Sequence, residues 1–230
     1  MIWIYDIETY INFFCVTFKE VNSKEIKQYI IYDQINMLDE LYEFISDQEK
    51  WLVGYNSFNF DNQLLNYIYR YHMMLTFRST NEITESIYNL ANLIVKENYS
   101  ELKYNLPFKF IDLMKVGAYR KSLKLIGVSL KHDKLQDLPI PWGDKISNRH
   151  MKTILDYNMN DIIITEKLYY HLLNNIKWRS ELNKMYGIDV ITEPDSGIAN
   201  RILEKFYSET TRLPYDKFKG LRTDRKFIKF

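Results

Sequence analysis

The sequence predicts an α/β fold in which a mixed five-stranded sheet is flanked by helices. Three short, apolar, β-prone runs stand at the start of the chain, and helical segments then alternate with two further runs of the same kind. Apolar residues make up 46% of the 230 residues, which is enough for one sizeable domain with a real core.

The strands are predicted from their composition and their boundaries. MIWIYDI, FFCVTFKEV and KEIKQYIIY give the first three, and the polar NSK between the second and the third predicts a hairpin turn. WLVGY and PFKFIDLMKV give the last two. Because the first run is short, apolar and β-prone, we expect that strand to be buried.

The helices are predicted from apolar spacing and end signals. INMLDELYEFISD has its apolar residues on one face. A helix over FDNQLLNYIYRYHMM starts near Asp61, and another covers EITESIYNLANLIV. SLKHDKLQDL predicts a further helix, which is followed by the Pro/Gly loop LPIPWGD.

Later helices fill the rest of the chain. HMKTILDYNMNDIIITEKLYYHLLNNI predicts a long helix with Asp161 near its middle, and another helix follows it. Pro194 begins the last helix, which is predicted to continue through Tyr207.

Charge is distributed unevenly although the net charge is only +1. Residues 212–230 hold seven Lys or Arg and two Asp, a net charge of +5, so the rest of the chain carries −4. A basic tail on an acidic body fits contact with a phosphate backbone, and it equally fits a solvated linker.

Cysteine content and hydropathy bear on the cellular compartment in which the protein is expected. Cys15 is the only cysteine, which excludes an intramolecular disulfide and a cysteine-based zinc site and favours a reducing, cytoplasmic environment. No apolar run approaches the length of a membrane span, and the N-terminus lacks a signal-peptide pattern.

Two carboxylates at the end of the first strand are the first candidate site residues. Asp6 and Glu8 are two apart, so they point from the same side of the strand. Two like charges at that distance repel each other, and a divalent cation with oxygen ligands, such as Mg²⁺ or Mn²⁺, compensates them.

Two further motifs carry acidic residues. In GYNSFNFDNQLL, Asn56 lies in a turn-forming stretch and Asp61 opens a helix, where it fits an N-cap as well as a metal ligand. In DYNMNDIIITEKL, Tyr157 and Asp161 are four apart on one helical face that is otherwise apolar. A charged residue there requires a partner or a metal, whereas Tyr157 alone also fits a core tyrosine.

Together, D-x-E-T, N-x-x-x-F-D and Y-x-x-x-D, in this order, resemble the motifs of the DEDDy 3′–5′ exonucleases of the ribonuclease H-like superfamily. More narrowly, they resemble the proofreading domains of phage family-B DNA polymerases. The resemblance covers residues 1 to about 175, which implies an exonuclease domain over 1–175 and a helical extension with a basic tail over 176–230. It also includes IDLMKV, similar to an inner strand of the family, and GVSLKHD, similar to the segment before the third motif.

The resemblance implies a ribonuclease H-like fold and two divalent metal ions, roughly 3.5–4 Å apart, that clamp the scissile phosphate. It implies that Asp6 bridges both metals, that Glu8 and Asp161 complete one site, and that Asp61 supports the other through water. It further implies that Tyr157 orients the attacking water, since a phenol with a pKa of about 10 is a poor base at neutral pH.

The resemblance also implies residues that contact the terminal nucleotides. Thr9, Asn56 and Phe60 match such positions, although Phe60 equally fits core packing. Ser129 and Leu130 match a substrate segment in which Asp133 replaces the usual hydrophobic residue. Lys131 and Lys145 are candidate phosphate contacts.

The implied substrate is the 3′ end of single-stranded DNA, and the implied setting is replication in a bacterial host cell. An exoribonuclease or oligonucleotide-degrading enzyme and a non-catalytic binding module are the alternatives. Because DSGIANRILEKFY and GLRTDRKFIKF resemble the lead-in to a polymerase domain, a polymerase domain or subunit is a further expected partner. We expect the chain by itself to be a monomer.

Overall fold

The computed structural model describes residues 1–212 and confirms the predicted α/β class. Its sheet has six strands in the order β4-β3-β2-β1-β5-β6. The strands are β1 (Ile2–Tyr10), β2 (Phe13–Glu20), β3 (Ile26–Tyr32), β4 (Ile35–Asn36), β5 (Trp51–Gly54) and β6 (Lys109–Asp112). The prediction of five strands missed β4, a two-residue strand in the segment that was predicted to begin the first helix.

The described residues contain eight α-helices, and none of them is both long and apolar enough to cross a lipid bilayer. They are α1 (Leu38–Ser46), α2 (Asp61–Leu75), α3 (Thr80–Glu97), α4 (Leu113–Val116), α5 (Leu123–Ser129), α6 (Asn148–His171), α7 (Leu173–Tyr186) and α8 (Asp195–Thr211). The basic tail that the sequence predicts lies, except for Arg212, outside the described residues.

The sheet is mixed, and β1 lies where its two halves meet. β1 pairs antiparallel with β2 and parallel with β5, and β5 pairs parallel with β6. The β1–β5 ladder ends at the pair Ile4 and Val53, whereas the β1–β2 ladder continues to Tyr10. The second half of β1 therefore has no β5 partner, which leaves one of its edges open for other groups.

The two faces of β1 are buried against different helices. Trp3, Tyr5 and Ile7 belong to a core cluster that includes apolar residues of α1, α2 and α3. Ile4 and Tyr10 point to the other face, where they belong to two separate clusters that both include residues of α6. The expectation that β1 is buried is confirmed, and both of its faces are covered.

The prediction of a helix over SLKHDKLQDL is wrong, because the helix in this region is α5, which ends at Ser129, where the predicted helix begins. The side chain of Ser122 accepts a hydrogen bond from the backbone N–H of Leu125 and caps the start of this helix. Lys131 has φ of +51°, a left-handed conformation that ends it. Ser129 and Leu130 therefore lie at the end of a helix rather than at the start of one.

The strand predicted over PFKFIDLMKV is shorter in the structure, and it lies at the edge of the sheet. Only Lys109–Asp112 is extended, because the side chain of Asp112 accepts a hydrogen bond from the N–H of Met114 and starts α4. β6 is the edge of the described sheet, so the expectation of an inner strand at IDLMKV is wrong.

A buried arginine joins the helical extension to the rest of the chain. The side chain of Arg179 on α7 is fully buried, and it donates hydrogen bonds to the carbonyl oxygens of Val116 (3.1 Å) and Glu193 (3.2 Å) and to the Asp195 carboxylate (2.7 Å). These acceptors belong to α4, to the segment before α8 and to α8. One guanidinium group therefore holds three parts of the chain together.

We expect Arg179→Ala to lower the free energy of unfolding by about 2–4 kcal/mol, because it leaves buried carbonyl groups without a donor. Chemical denaturation followed by circular dichroism measures this. Arg201→Ala, in the same extension, changes an exposed side chain whose ion pairs are 3.8 and 4.0 Å long, and should cost less than about 0.5 kcal/mol. Equal stability of the two variants would show that the hydrogen bonds of Arg179 do not hold α7 and α8 to the rest of the chain.

Candidate metal centre

Three carboxylates from distant parts of the sequence meet between β1 and α6. Asp6 and Glu8 lie on the α6 face of β1, between Ile4 and Tyr10. One carboxylate oxygen from each of Asp6, Glu8 and Asp161 lies within 4.8 Å of the other two. The alternation of side chains along β1 and the middle position of Asp161 on α6 produce this arrangement.

Two neighbours of Asp161 on α6 hold the cluster in place. Asn158 is fully buried, and its Nδ2 donates a hydrogen bond of 2.8 Å to Oδ2 of Asp6. The hydroxyl of Tyr157 lies close enough to the Asp161 carboxylate to lower the pKa of that carboxyl. The amide oxygen of Asn158 has no hydrogen-bond partner, although it is buried. Asn158 therefore contributes a hydrogen-bond donor to the carboxylate group, and its own buried acceptor stays unsatisfied.

Asp61 lies next to this group but not in it. It is 8% exposed at the start of α2, and the backbone N–H of Ile7, on the open edge of β1, is close enough to lower the pKa of its carboxyl. The group of three with mutual distances below 4.8 Å does not include it. Its charge is nevertheless close enough to raise the pKa of Asp6 and of Glu8.

Burial raises the pKa of all four acids, and repulsion from neighbouring carboxylates raises it further for Asp6, Glu8 and Asp61. Burial is the largest cause for each, and it raises the pKa of Asp6 and Glu8 well above the ordinary range, with the charge of Asp161 as the next cause. Burial also raises the pKa of Asp61 to about 7 and that of Asp161 to about 6. The chain therefore concentrates negative charge at a place where it is costly without a cation.

The donor set fits a hard divalent cation. All the charged groups are carboxylates, which Mg²⁺ and Mn²⁺ prefer as ligands. In the part of the chain that the structure describes, no Lys or Arg forms an ion pair with these four residues. A cation at this site would lower the repulsion that the protein itself leaves uncompensated.

The residues expected to contact substrate near the first two motifs have varied surroundings. Thr9 is buried on β1, and its hydroxyl has no hydrogen-bond partner. Asn56 has φ of +57°, and its N–H donates to Oδ1 of Asp112 (2.9 Å). Phe60 is half-buried immediately before α2 and packs against the main core cluster, as the alternative interpretation requires.

The residues expected near the third motif lie at the surface or in the core. Ser129 is exposed and its hydroxyl donates to the carbonyl oxygen of Leu125 (3.1 Å), while Leu130 packs against the core cluster that includes Ile4. Lys131 and Lys145 are exposed. None of these four residues belongs to the carboxylate group.

Sequence reasoning missed two polar residues, Asn158 and Asp112. Asn158 precedes Asp161 by three positions, so helical spacing alone places both on one face. Asp112 is the last residue of a short strand, and it is fully buried. Its carboxylate accepts the N–H groups of Asn56, Phe58 (3.2 Å) and Met114 (3.0 Å). It therefore fixes the loop that leads to Asp61.

Comparison of this chain with family models, with curated proteins and with solved structures gives no match of any kind.

We expect Mg²⁺ or Mn²⁺ at saturating concentration to raise the melting temperature of the protein by about 5–10 °C, as expected for a ligand at about 100 times its Kd. Glu8→Gln should remove most of this rise, and it should itself stabilise the metal-free protein because it removes one of the repelling charges. Differential scanning calorimetry in chelator and in metal measures both effects. Asp156 is an exposed carboxylate on α6, the helix that carries Asp161, and the control variant Asp156→Asn should behave like the wild type. An unchanged metal response in Glu8→Gln would exclude this site.

Without metal, we expect stability to fall as the pH rises from about 4 to about 7. Asp161 and Asp61 have pKa values of about 6 and about 7 in the folded protein, above the ordinary value near 3.9 of the unfolded chain. The folded state therefore binds more protons in this window, and its stability declines as they are lost. Melting temperatures in chelator across this range measure the decline, which a variant with both Asp61→Asn and Asp161→Asn should flatten. A decline of the same slope in that variant would contradict this assignment.

Proposed function

We propose that this protein is a metal-dependent 3′–5′ exonuclease that hydrolyses single-stranded DNA to nucleoside monophosphates, as in proofreading during phage-type replication. The observation that carries the proposal is the convergence of Asp6, Glu8 and Asp161, which are separated by up to 155 positions, on one group with distances below 4.8 Å. The motifs that resemble the DEDDy exonucleases name these same three residues as metal ligands. A mixed sheet flanked by helices is also the class of fold that the resemblance implies.

In this proposal the four carboxylates hold two divalent cations, Mg²⁺ or Mn²⁺. When bound, these cations supply an activated water and stabilise the leaving 3′-oxygen. Asp6, Glu8 and Asp161 provide the close group of ligands, and Asp61 lies beside it for the second cation. Asn158 keeps the Asp6 carboxylate in one orientation through its hydrogen bond.

Tyr157 fits a positioning role rather than that of a base. Burial and the charges of Asp161, Glu8 and Asp6 raise the pKa of Tyr157 well above its usual value. The phenol therefore stays protonated at neutral pH and has a proton to donate. Its closeness to Asp161 keeps the hydroxyl beside the carboxylate group, where in this proposal it orients a water molecule.

A polymerase domain or subunit is the partner that this function calls for. Proofreading requires a source of freshly extended 3′ ends, and the resemblance of DSGIANRILEKFY and GLRTDRKFIKF to a polymerase lead-in supports such a partner. In this proposal Thr9, Asn56 and Phe60, which match the family's nucleotide-contacting positions, contact the terminal nucleotides of the strand.

We expect the wild-type protein to shorten a 5′-labelled single-stranded DNA from its 3′ end in Mg²⁺ or Mn²⁺ and to be inactive in chelator. Asp161→Asn should lower the rate by more than about 100-fold, and Tyr157→Phe by about 10- to 100-fold while the metal-dependent rise in melting temperature stays intact. Asp156→Asn is the matched control and should keep full activity. Gel electrophoresis of the labelled products resolves each shortened species.

An RNA strand of the same sequence tests the alternative substrate in the same assay. Faster degradation of RNA than of DNA would replace the proofreading function with an exoribonuclease function at the same site. Absence of metal-dependent shortening of either strand would overturn the proposed activity.

A further inference from the structure

A cavity of about 490 Å³ opens beyond the β6 edge of the sheet and has no role in the proposed reaction. Its walls come from the segment before β6, from β6 itself and from the segment before α8. None of the four carboxylates of the candidate metal centre lines it. Its volume lies in the range of about 300–1,000 Å³ that is usual for sites of small organic ligands.

Aromatic rings form one wall of this cavity. Phe58 stacks on Phe110 with ring centroids 5.8 Å apart, and Tyr104 meets Phe58 edge-on at 5.9 Å. The side chain of Tyr104 is 65% exposed, so most of its ring is free to contact a ligand. An exposed ring beside a cavity is a surface on which a planar heterocycle stacks.

The backbone below Tyr104 is held in place although its ring is exposed. Nδ2 of the fully buried Asn66 donates to the carbonyl oxygens of Leu102 (2.8 Å) and Tyr104 (3.2 Å). Arg70 donates a further hydrogen bond of 3.0 Å to the carbonyl oxygen of Tyr104. Because two side chains of α2 fix this segment, the ring is presented from a rigid base, which lowers the entropy cost of stacking.

Positive charge dominates the remaining lining, with four cationic side chains against the carboxylates of Asp189 and Glu193. Glu193 lies 3.8 Å from Arg201, so one of these carboxylates is already compensated. Lys103 and Lys109 flank the aromatic wall, and neither forms an ion pair among the described residues. An anionic group next to a stacked ring therefore meets lysines that have no competing carboxylate.

We propose that this cavity is a nucleotide-binding site, in which a base stacks on Tyr104 and Lys103 and Lys109 contact its phosphate. The nucleotide is either part of a strand whose 3′ end lies at the carboxylates or a free mononucleotide. The first source rests on the proposed exonuclease function. The loop through Phe58 supports it, because this loop lines the cavity and continues after three residues to Asp61.

Binding to the full chain in chelator tests the site separately from hydrolysis. The probes are a fluorescent single-stranded thymidine octanucleotide, measured by anisotropy, and thymidine monophosphate and inorganic phosphate, measured by calorimetry. Tyr104→Ala should weaken octanucleotide binding by about 5- to 100-fold. Lys109→Ala should weaken it too and should lower the slope of log affinity against log salt by about one. The controls are Phe77→Ala and Lys177→Ala, which remove an exposed aromatic ring and an exposed lysine outside the cavity. Both variants should bind like the wild type.

The outcomes separate the two sources. If only the octanucleotide depends on Tyr104, the site binds the strand; if thymidine monophosphate also depends on it, the site binds the free nucleotide. Wild-type affinity in both cavity variants, or no binding of any nucleotide probe by the wild type, would overturn the proposal. Binding is measured in chelator and hydrolysis is measured in metal, so the two properties are tested separately. A protein that binds nucleotide through Tyr104 but does not shorten DNA in metal would contradict the exonuclease function and leave the binding site standing.

Discussion

The repulsion among half-buried carboxylates where the second half of β1 meets α6 is the constraint on which the rest of this structure depends. Asp6 and Glu8 are flanked along the same face of β1 by Ile4 and Tyr10, and α6 covers that face. On α6, Asp161 and its neighbours likewise lie between apolar residues that pack on Ile4 and on Tyr10. The acids thus interrupt a continuous apolar interface, and the clusters on either side supply the free energy that holds them together.

A second buried acid, Asp112, explains how the loop before α2 keeps its shape. Asn56 adopts a left-handed conformation, which is uncommon outside glycine, and the carboxylate of Asp112 accepts its N–H and that of Phe58. Charged acceptors form stronger hydrogen bonds than neutral ones, so one carboxylate on β6 fixes several backbone groups at once. The position of Asp61 at the start of α2 follows from this loop.

The sequence was sufficient to predict site residues where both side chains of a pair lie within one helix or strand. The i, i+2 pair on β1 and the i, i+4 pair of Tyr157 and Asp161 each lie within one element, whose period alone places both side chains on one face. It was insufficient where a contact joins distant segments or where a local bond decides a boundary. Nothing local indicates that Asn158 donates to Asp6, and the helix predicted after Ser129 is excluded by the left-handed residue at 131.

One loop links the two regions of the molecule that carry unusual chemistry. Phe58 lines the nucleotide-sized cavity, and Asp61 lies beside the carboxylate group, so residues 56–61 contribute to both. Asp112 anchors this loop through backbone hydrogen bonds, and Lys115, on the helix that Asp112 caps, has its ammonium 3.4 Å from the centre of the Phe58 ring. A ligand that shifts Phe58 therefore acts on a loop whose far end is Asp61. Because that loop is short and anchored by the buried carboxylate of Asp112, the same backbone hydrogen bonds position both Phe58 and Asp61.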